Sequence, residues 1–351
     1  MQSTAFAIYR LPHEDHATLV QQTEGEPAEL LSCTDLNGRS GFVVAPFEVK
    51  SGQPILLIRP DKVTRQELPA AVPVPVAAPS GSPQGNRYYY SIDFANYHAQ
   101  LVQGTFRKIV LARCAEEQTS EPADPMQLFY RACRLYPRLF IALVSTPQSG
   151  VWLTATPEIL LEGCGCDWRT VALAGTMKLV GSQLEGEGEN VTWSTKNIEE
   201  QRVVATYIAE CLEQFTGNFC EEGPRTVRAA DLVHLRSDFT FTLPGNGCIG
   251  DLLQALHPTP AVCGLPKRDA FRFIINNEHT PRRYYSGFMG MLNPATETHL
   301  YVSLRCMNIG SGRYCLFAGG GLLKESTEEQ EWQETEAKLE TMRRCIAIRK
   351  A

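Results

Sequence analysis

Short apolar runs broken by turn residues mark the chain from its beginning. Gly41-Phe-Val-Val-Ala45 and Pro54-Ile-Leu-Leu-Ile58 have the length and composition of strands. Between Pro69 and Asn86, prolines at 69, 73, 75, 79 and 83 remove N–H groups that a helix or central strand needs, so this stretch reads as an extended linker. From Ser91 the spacing of Ile92, Phe94, Ala95, His98, Ala99 and Leu101 predicts a helix with Ser91 as its cap. Strands are predicted at Lys108-Ile-Val-Leu-Ala112, Leu139-Phe-Ile-Ala-Leu-Val144, Gly150-Val-Trp-Leu-Thr154 and Tyr301-Val-Ser-Leu304. Long helices are predicted near 196–215 and 328–347, the first preceded by a polar, glycine-rich loop, Glu185-Gly-Glu-Gly-Glu189. Strands and helices mix without a βαβα rhythm, which predicts an α+β fold rather than a doubly wound parallel sheet.

Composition narrows the function. The 351 residues carry 33 Lys+Arg against 39 Asp+Glu, a net charge of −6, which removes the electrostatic basis for a nucleic-acid or membrane-surface protein. No stretch approaches the length of apolar chain that spans a bilayer. The twelve cysteines are dispersed and the opening residues lack the basic and apolar regions of an export signal, so the thiols are expected to be reduced and the protein cytoplasmic. Cys164-Gly-Cys166 has one spacer where zinc sites use two to four. Phosphate-cradling and hydrolase signatures are missing, and Gly319-Gly320-Gly321 reads as a place where backbone must approach something closely.

The informative residues are charges on apolar faces. On the 196–215 helix, Val204, Ile208, Cys211, Leu212 and Phe215 form the core stripe, and Glu200 lies one turn earlier on the same side. Either it complements the helix N-terminus together with Glu199, or it is paired or bound to a metal. On the last helix Glu331, Glu334 and Lys338 share one face, while Trp332, Leu339, Met342 and Ile346 supply core contacts. The two carboxylates there are either solvated or neutralised by a cation such as Mg²⁺, which favours hard oxygen ligands. Lys108 opens a strand where desolvation lowers a lysine's proton affinity, and Glu158 precedes three apolar residues, where burial raises a carboxyl's. Arg305 interrupts Val-Ser-Leu-Arg-Cys-Met, as a guanidinium facing a carboxylate would. Singly they could be a strand-end snorkelling lysine, a helix-cap glutamate and a structural salt bridge; together they outline a pocket for a small anionic substrate.

These segments resemble the chorismate-utilising enzymes, and among them the isochorismate synthases. The resemblance runs in order through Lys108-Ile-Val-Leu-Ala-Arg113, Thr156-Pro-Glu-Ile-Leu160, Leu173-Ala-Gly-Thr176, Lys196-Asn-Ile-Glu-Glu200, His257-Pro-Thr-Pro-Ala-Val-Cys-Gly264, Arg282-Arg-Tyr-Tyr-Ser-Gly-Phe-Met-Gly290, Leu304-Arg-Cys306, Ala318-Gly-Gly-Gly321 and Glu331-Trp-Gln-Glu-Thr335. It covers roughly residues 90 to 346. It implies one large α+β domain with antiparallel sheets in the core and helices outside, residues 1–90 completing it and 91–351 forming the catalytic region.

The same resemblance implies residue roles. Lys108 would be the base that activates water, and Glu158 the acid that protonates the departing hydroxyl. Glu200 and Glu334 would hold Mg²⁺ with Glu331 in or beside its shell. Gly175, Thr176, His257, Arg305, Gly319, Gly321 and Lys338 would receive chorismate. Lysine at 108, where anthranilate synthases have glutamine, favours water as nucleophile. Ala174 stands where aminodeoxychorismate synthases carry a nucleophilic lysine, and no glutaminase partner is implied. Asn197 replaces an aspartate frequent in the family, removing a possible outer-shell carboxylate. The resemblance thus implies a monomeric, Mg²⁺-dependent isochorismate synthase, with menaquinone biosynthesis preferred to a catechol siderophore route. The alternatives are a salicylate synthase, which also eliminates pyruvate, and a non-catalytic chorismate-binding protein.

Overall fold

The apolar runs are strands covered on both faces. In Gly41–Ala45, Phe42 and Val44 point into one cluster of buried side chains and Val43 and Ala45 into another; Leu56 and Ile58 part from Ile55 and Leu57 in the same way. That alternation, with no polar position, requires material on each side of the sheet. The computed structural model describes residues 5–70, 87–119, 122–178, 191–229, 232–245 and 247–346. The proline-rich stretch from 71 onward and the 185–189 loop lie outside them.

Among the described residues there are two nine-stranded sheets, antiparallel throughout. Six α-helices accompany them: α1 (Arg87–Val102), α2 (Pro125–Leu135), α3 (Thr195–Leu212), α4 (Ile249–Leu256), α5 (Lys267–Asn277) and α6 (Glu328–Ile346). Residues from both sheets, including Phe140, Trp152, Val171, Met289 and Phe317, meet in a shared core. The outer face of one sheet is covered by α3 and α4, and that of the other by α2 and α6. The layers therefore run helix, sheet, sheet, helix, which is the α+β arrangement expected. Strands from the first 70 residues enter both sheets: Ala5–Arg10 pairs with Phe140–Thr146, and Gly41–Ala45 with Phe288–Leu292.

The helix expected from Ser91 begins earlier, at Arg87, so Ser91 is not its cap. Its hydroxyl donates to the Arg87 carbonyl one turn back and to Glu328 of α6. The buried stripe is Tyr90, Phe94, Tyr97 and Leu101, with Ala95 and Ala99 exposed, because the large aromatic rings bury the most apolar surface. The helix α6 buries the stripe read from its spacing, and α3 buries Val204, Ile208, Cys211 and Leu212 but ends there, leaving Phe215 half-buried in the turn that follows.

The sandwich is stitched together at one end by two short links. Thr156 ends a strand of one sheet and Ile159 begins a strand of the other, so the link carries Glu158 across the joint. Val302 and Cys306 are related in the same way, and that link carries Arg305. The Val302 N–H donates to the Glu158 carbonyl at 2.9 Å, which ties the two links side by side.

Candidate active site

The strand Lys108–Gln118 lies between the two-residue strand Gly264–Leu265 and the strand Arg313–Leu322, against which α6 packs. Opposite it, in the other sheet, the strand Asp167–Lys178 bulges between Ala174 and Thr176, leaving Gly175 at a φ of 70°, and α3 packs on this strand. These elements and the two crossover links enclose a narrow cavity. Its polar lining comprises Glu158, Gly175, Thr176, Glu200, His234, Tyr285, Arg305, Gly319, Gly321 and Lys338. Two larger hollows, of about 620 Å³ beside Phe219 and Phe241 and about 550 Å³ beside Phe47 and Phe271, lie elsewhere. The first carries charge of both signs, Glu162 with Arg169 and His299, but neither hollow lies at the crossover links that carry Glu158 and Arg305.

Lys108 is fully buried, and its ammonium stands 2.9 Å from the Glu200 carboxylate. Glu200 Oε2 also accepts the Gly175 N–H at 3.2 Å. Burial works to raise the proton affinity of Glu200, but the ammonium groups of Lys108, Lys338 and Lys196 outweigh it, and the carboxyl is held below its usual range. Glu158 meets the opposite balance. It is 2% exposed, and burial pushes its carboxyl up to about 8 against the pull of Lys108, Arg305 and Lys338. Two carboxyls around one cavity are therefore driven to different states at neutral pH, one ionised and one protonated.

Arg305 occupies the left-handed region, at a φ of 44°, uncommon for a residue with a side chain. Its Nη2 donates to His234 Nε2, while Nη1 is buried without a partner. Because a guanidinium only donates, His234 Nε2 is the acceptor and the ring proton sits on Nδ1, directed to the Gly175 carbonyl at 3.2 Å. Burial, reinforced by Arg305 and Lys338, lowers the His234 proton affinity well below normal and keeps the ring neutral.

Three glutamates, each with its own lysine, complete the site. Glu200 pairs with Lys108, Glu334 with Lys338 at 2.7 Å, and Glu331 with Lys196 at 2.5 Å. The Lys338 ammonium also donates to the Gly319 carbonyl at 2.9 Å. Glu331 is 1% exposed; one oxygen accepts from Lys196 and Ser326, and the other is buried without a partner. The triple glycine makes this possible. A Cβ would come within 2.2 Å of Glu200 Oε1 at Gly321, 3.0 Å of Glu331 Oε2 at Gly320, and 2.7 Å of the Tyr285 hydroxyl at Gly319.

Most of the residues named from the sequence are thus brought together: Lys108, Glu158, Gly175, Thr176, Glu200, Arg305, Gly319, Gly321, Glu331, Glu334 and Lys338. His257 is the exception. Its Nε2 lies 3.1 Å from the Pro46 carbonyl, its ring packs edge-on against Phe288, and it borders the hollow beside Phe47. Burial drops its proton affinity to about 3, consistent with a neutral ring held within the fold. The imidazole in the cavity is instead that of His234, which sequence reasoning passed over together with Lys196 and Tyr285. His234 had a signal, a lone polar ring between Val233 and Leu235.

Residues 64–347 match the family model described as chorismate binding enzyme, a range that holds every residue of the cavity. The chain belongs to this family. It is 30% identical over 260 residues to the isochorismate synthase DhbC of Bacillus subtilis, covering 71% of this chain and 65% of the relative. It is 33% identical over 248 residues to the salicylate biosynthesis isochorismate synthase of Pseudomonas aeruginosa, covering 70% and 52%. The chain therefore matches between half and two thirds of these relatives' length. The fold is that of a crystal structure titled putative 2,3-dihydroxybenzoate-specific isochorismate synthase, DhbC, from Bacillus anthracis, with a TM-score of 0.85, 22% identity and coverage of 99% and 97%. It is shared with anthranilate synthase component I from Streptococcus pneumoniae, at a TM-score of 0.73, 15% identity and coverage of 98% and 93%. Among the described residues no helix is long and apolar enough to cross a membrane.

Proposed function

We propose that this member of the chorismate-binding enzymes converts chorismate to isochorismate. The observation that carries the reading is a buried Lys108, paired with Glu200, and a Glu158 whose carboxyl burial keeps protonated, both set at one narrow cavity beside a buried guanidinium with a free N–H. In the forward step the amine of Lys108, once deprotonated, takes a proton from water as the oxygen bonds to C2 of the ring. The double bond shifts, and the C4–oxygen bond breaks as Glu158 donates its proton to the departing hydroxyl, which leaves as water. One proton has then moved from Glu158 to Lys108, and exchange with solvent resets both. Arg305, held by His234, and Lys338 suit the two carboxylates of such a substrate.

The donor set also fits Mg²⁺. Glu200, Glu331 and Glu334 offer hard oxygens, and the orphaned Oε2 of Glu331 beside Gly320 is a buried acceptor awaiting a partner. Those three glutamates would hold the ion, which when bound supplies positive charge against a substrate carboxylate. They are not gathered as tightly as the exposed Glu14 and Asp15 and the half-buried His16, whose ligand atoms lie within 4.8 Å of one another. Each is drawn instead to its own lysine.

The reading is tested by mixing the purified chain with chorismate and MgCl₂ and separating the products by chromatography. Isochorismate alone is expected. Salicylate with pyruvate would assign the chain to salicylate synthesis, and unchanged chorismate to a binding role.

A further inference from the structure

Of the three lysines paired with glutamates, Lys196 stands in an electrostatically awkward position. It stands in the first turn of α3, whose N-terminal end carries positive partial charge and favours acids over bases. It is one helical turn before Glu200, on the same side of α3. Its ammonium reaches across to α6 and lies 2.5 Å from Glu331 Oε1, the oxygen that Ser326 also binds at 2.6 Å. One ammonium thus contacts Glu331 and stands one turn from Glu200, two of the three carboxylates assigned above to the metal. The partners also differ in freedom: the Glu331 side chain is 1% exposed and that of Lys196 is 27% exposed. The lysine has a way out to solvent that the glutamate lacks.

We propose that Lys196 is a built-in counter-ion for the magnesium site. It neutralises Glu331 while the site is empty, and it must withdraw before Glu331 can face a divalent cation, so it sets how weakly the free enzyme holds Mg²⁺. This rests on the metal assignment made under the proposed function. Removing the ammonium leaves a buried carboxylate with no cation, which raises the affinity for Mg²⁺ and makes the fold more dependent on it.

The test is calorimetric titration of MgCl₂ into the substrate-free full chain, for wild type, Lys196→Met, Lys196→Arg and Glu334→Ala, with melting temperatures in EDTA and in excess Mg²⁺. Lys196→Met is expected to bind Mg²⁺ about tenfold more tightly than wild type. It should also melt lower in EDTA and regain more on adding Mg²⁺ than wild type does. Lys196→Arg, which keeps the charge, should stay near wild type. A residue that merely braced α3 against α6 would give weaker metal binding on removal, so an affinity that is unchanged or lower in Lys196→Met overturns the inference. If Lys196→Met is too unstable to titrate in the absence of metal, the same comparison on Lys196→Gln decides it. Glu334→Ala separates the two readings: full Mg²⁺ binding in that variant would remove the metal assignment, whereas lost binding there with unchanged Lys196→Met would remove only the role of Lys196.

Discussion

The Lys108 ammonium and the Glu200 carboxylate meet at 2.9 Å in a space that exists only because residue 321 has no side chain. A Cβ at that position would lie 2.2 Å from Glu200 Oε1 and 2.8 Å from Lys108 Cε, inside any real contact distance. Gly321→Ala is therefore expected to retain the fold, since the added methyl meets two side chains rather than backbone, yet to lose most of its turnover by prising the pair apart. A crystal structure of the variant should show the ion pair broken. Wild-type rates with the pair intact would remove the need for glycine here.

Loss of either proton-handling group should be severe. Lys108→Ala and Glu158→Gln are each expected to slow conversion of chorismate by roughly a hundredfold or more, the usual cost of removing a positioned base or acid. The informative measurement is kcat at saturating substrate. A variant that keeps near wild-type kcat removes that residue from the mechanism.

The raised carboxyl of Glu158 makes two signed predictions about pH. Its proton is needed for departure of the hydroxyl, so turnover should fall as pH rises through about 8, and this limb should vanish in Glu158→Gln. Stability should move with it. A carboxyl whose folded proton affinity exceeds its unfolded one stabilises the fold at low pH, and that advantage drains away as pH rises from the ordinary glutamate range near 4.5 to about 8. Glu158→Gln, which cannot ionise, should gain melting temperature relative to wild type over that window. Parallel melting curves for the two proteins from pH 5 to 9 would contradict a buried, protonated Glu158.

Much of this site was legible because the fold spends charge sparingly. Lys108, Glu158, Glu200 and Arg305 each interrupt an apolar pattern, and such interruptions are costly unless something answers them. The helix faces of α3 and α6 followed from spacing alone, since their buried stripes repeat with the helical period. What escaped notice depends on partners distant in sequence. His257 carries the look of a site histidine, but the Pro46 carbonyl, 211 residues away, satisfies it. His234 sits in an ordinary alternating strand and acquires meaning only from Arg305, 71 residues on. Lys196 reads as a solvated lysine until α6 brings Glu331 to it. No local pattern encodes those pairings; the sheet register and the crossover links create them.

The buried guanidinium divides binding from chemistry. Arg305 spends Nη2 on His234 and keeps Nη1 free, so its role is to receive a carboxylate rather than to transfer a proton. Arg305→Ala should raise KM for chorismate by about ten- to a hundredfold, as expected for a lost charged hydrogen bond of ~1.5–3 kcal/mol, and change kcat less. His234→Ala should follow in the same direction but more weakly, because it frees the guanidinium to turn without deleting it. A drop in kcat with unchanged KM in Arg305→Ala would place the residue in the chemical step instead.

The last prediction concerns Glu334, whose carboxylate is held by Lys338 in the resting enzyme. Glu334→Ala removes one of three proposed oxygen ligands and also releases Lys338 from its partner. If the glutamate serves the metal, activity should be lost at the MgCl₂ concentration that saturates wild type, and raising MgCl₂ tenfold should recover part of the rate, since Glu200 and Glu331 remain. If it serves only to position Lys338, the variant should instead bind chorismate more weakly while keeping the wild-type dependence on MgCl₂. Initial rates measured over a grid of MgCl₂ and chorismate concentrations distinguish the two, because the first outcome shifts the metal axis and the second the substrate axis. An active variant with unchanged metal dependence would withdraw Glu334 from the ligand set.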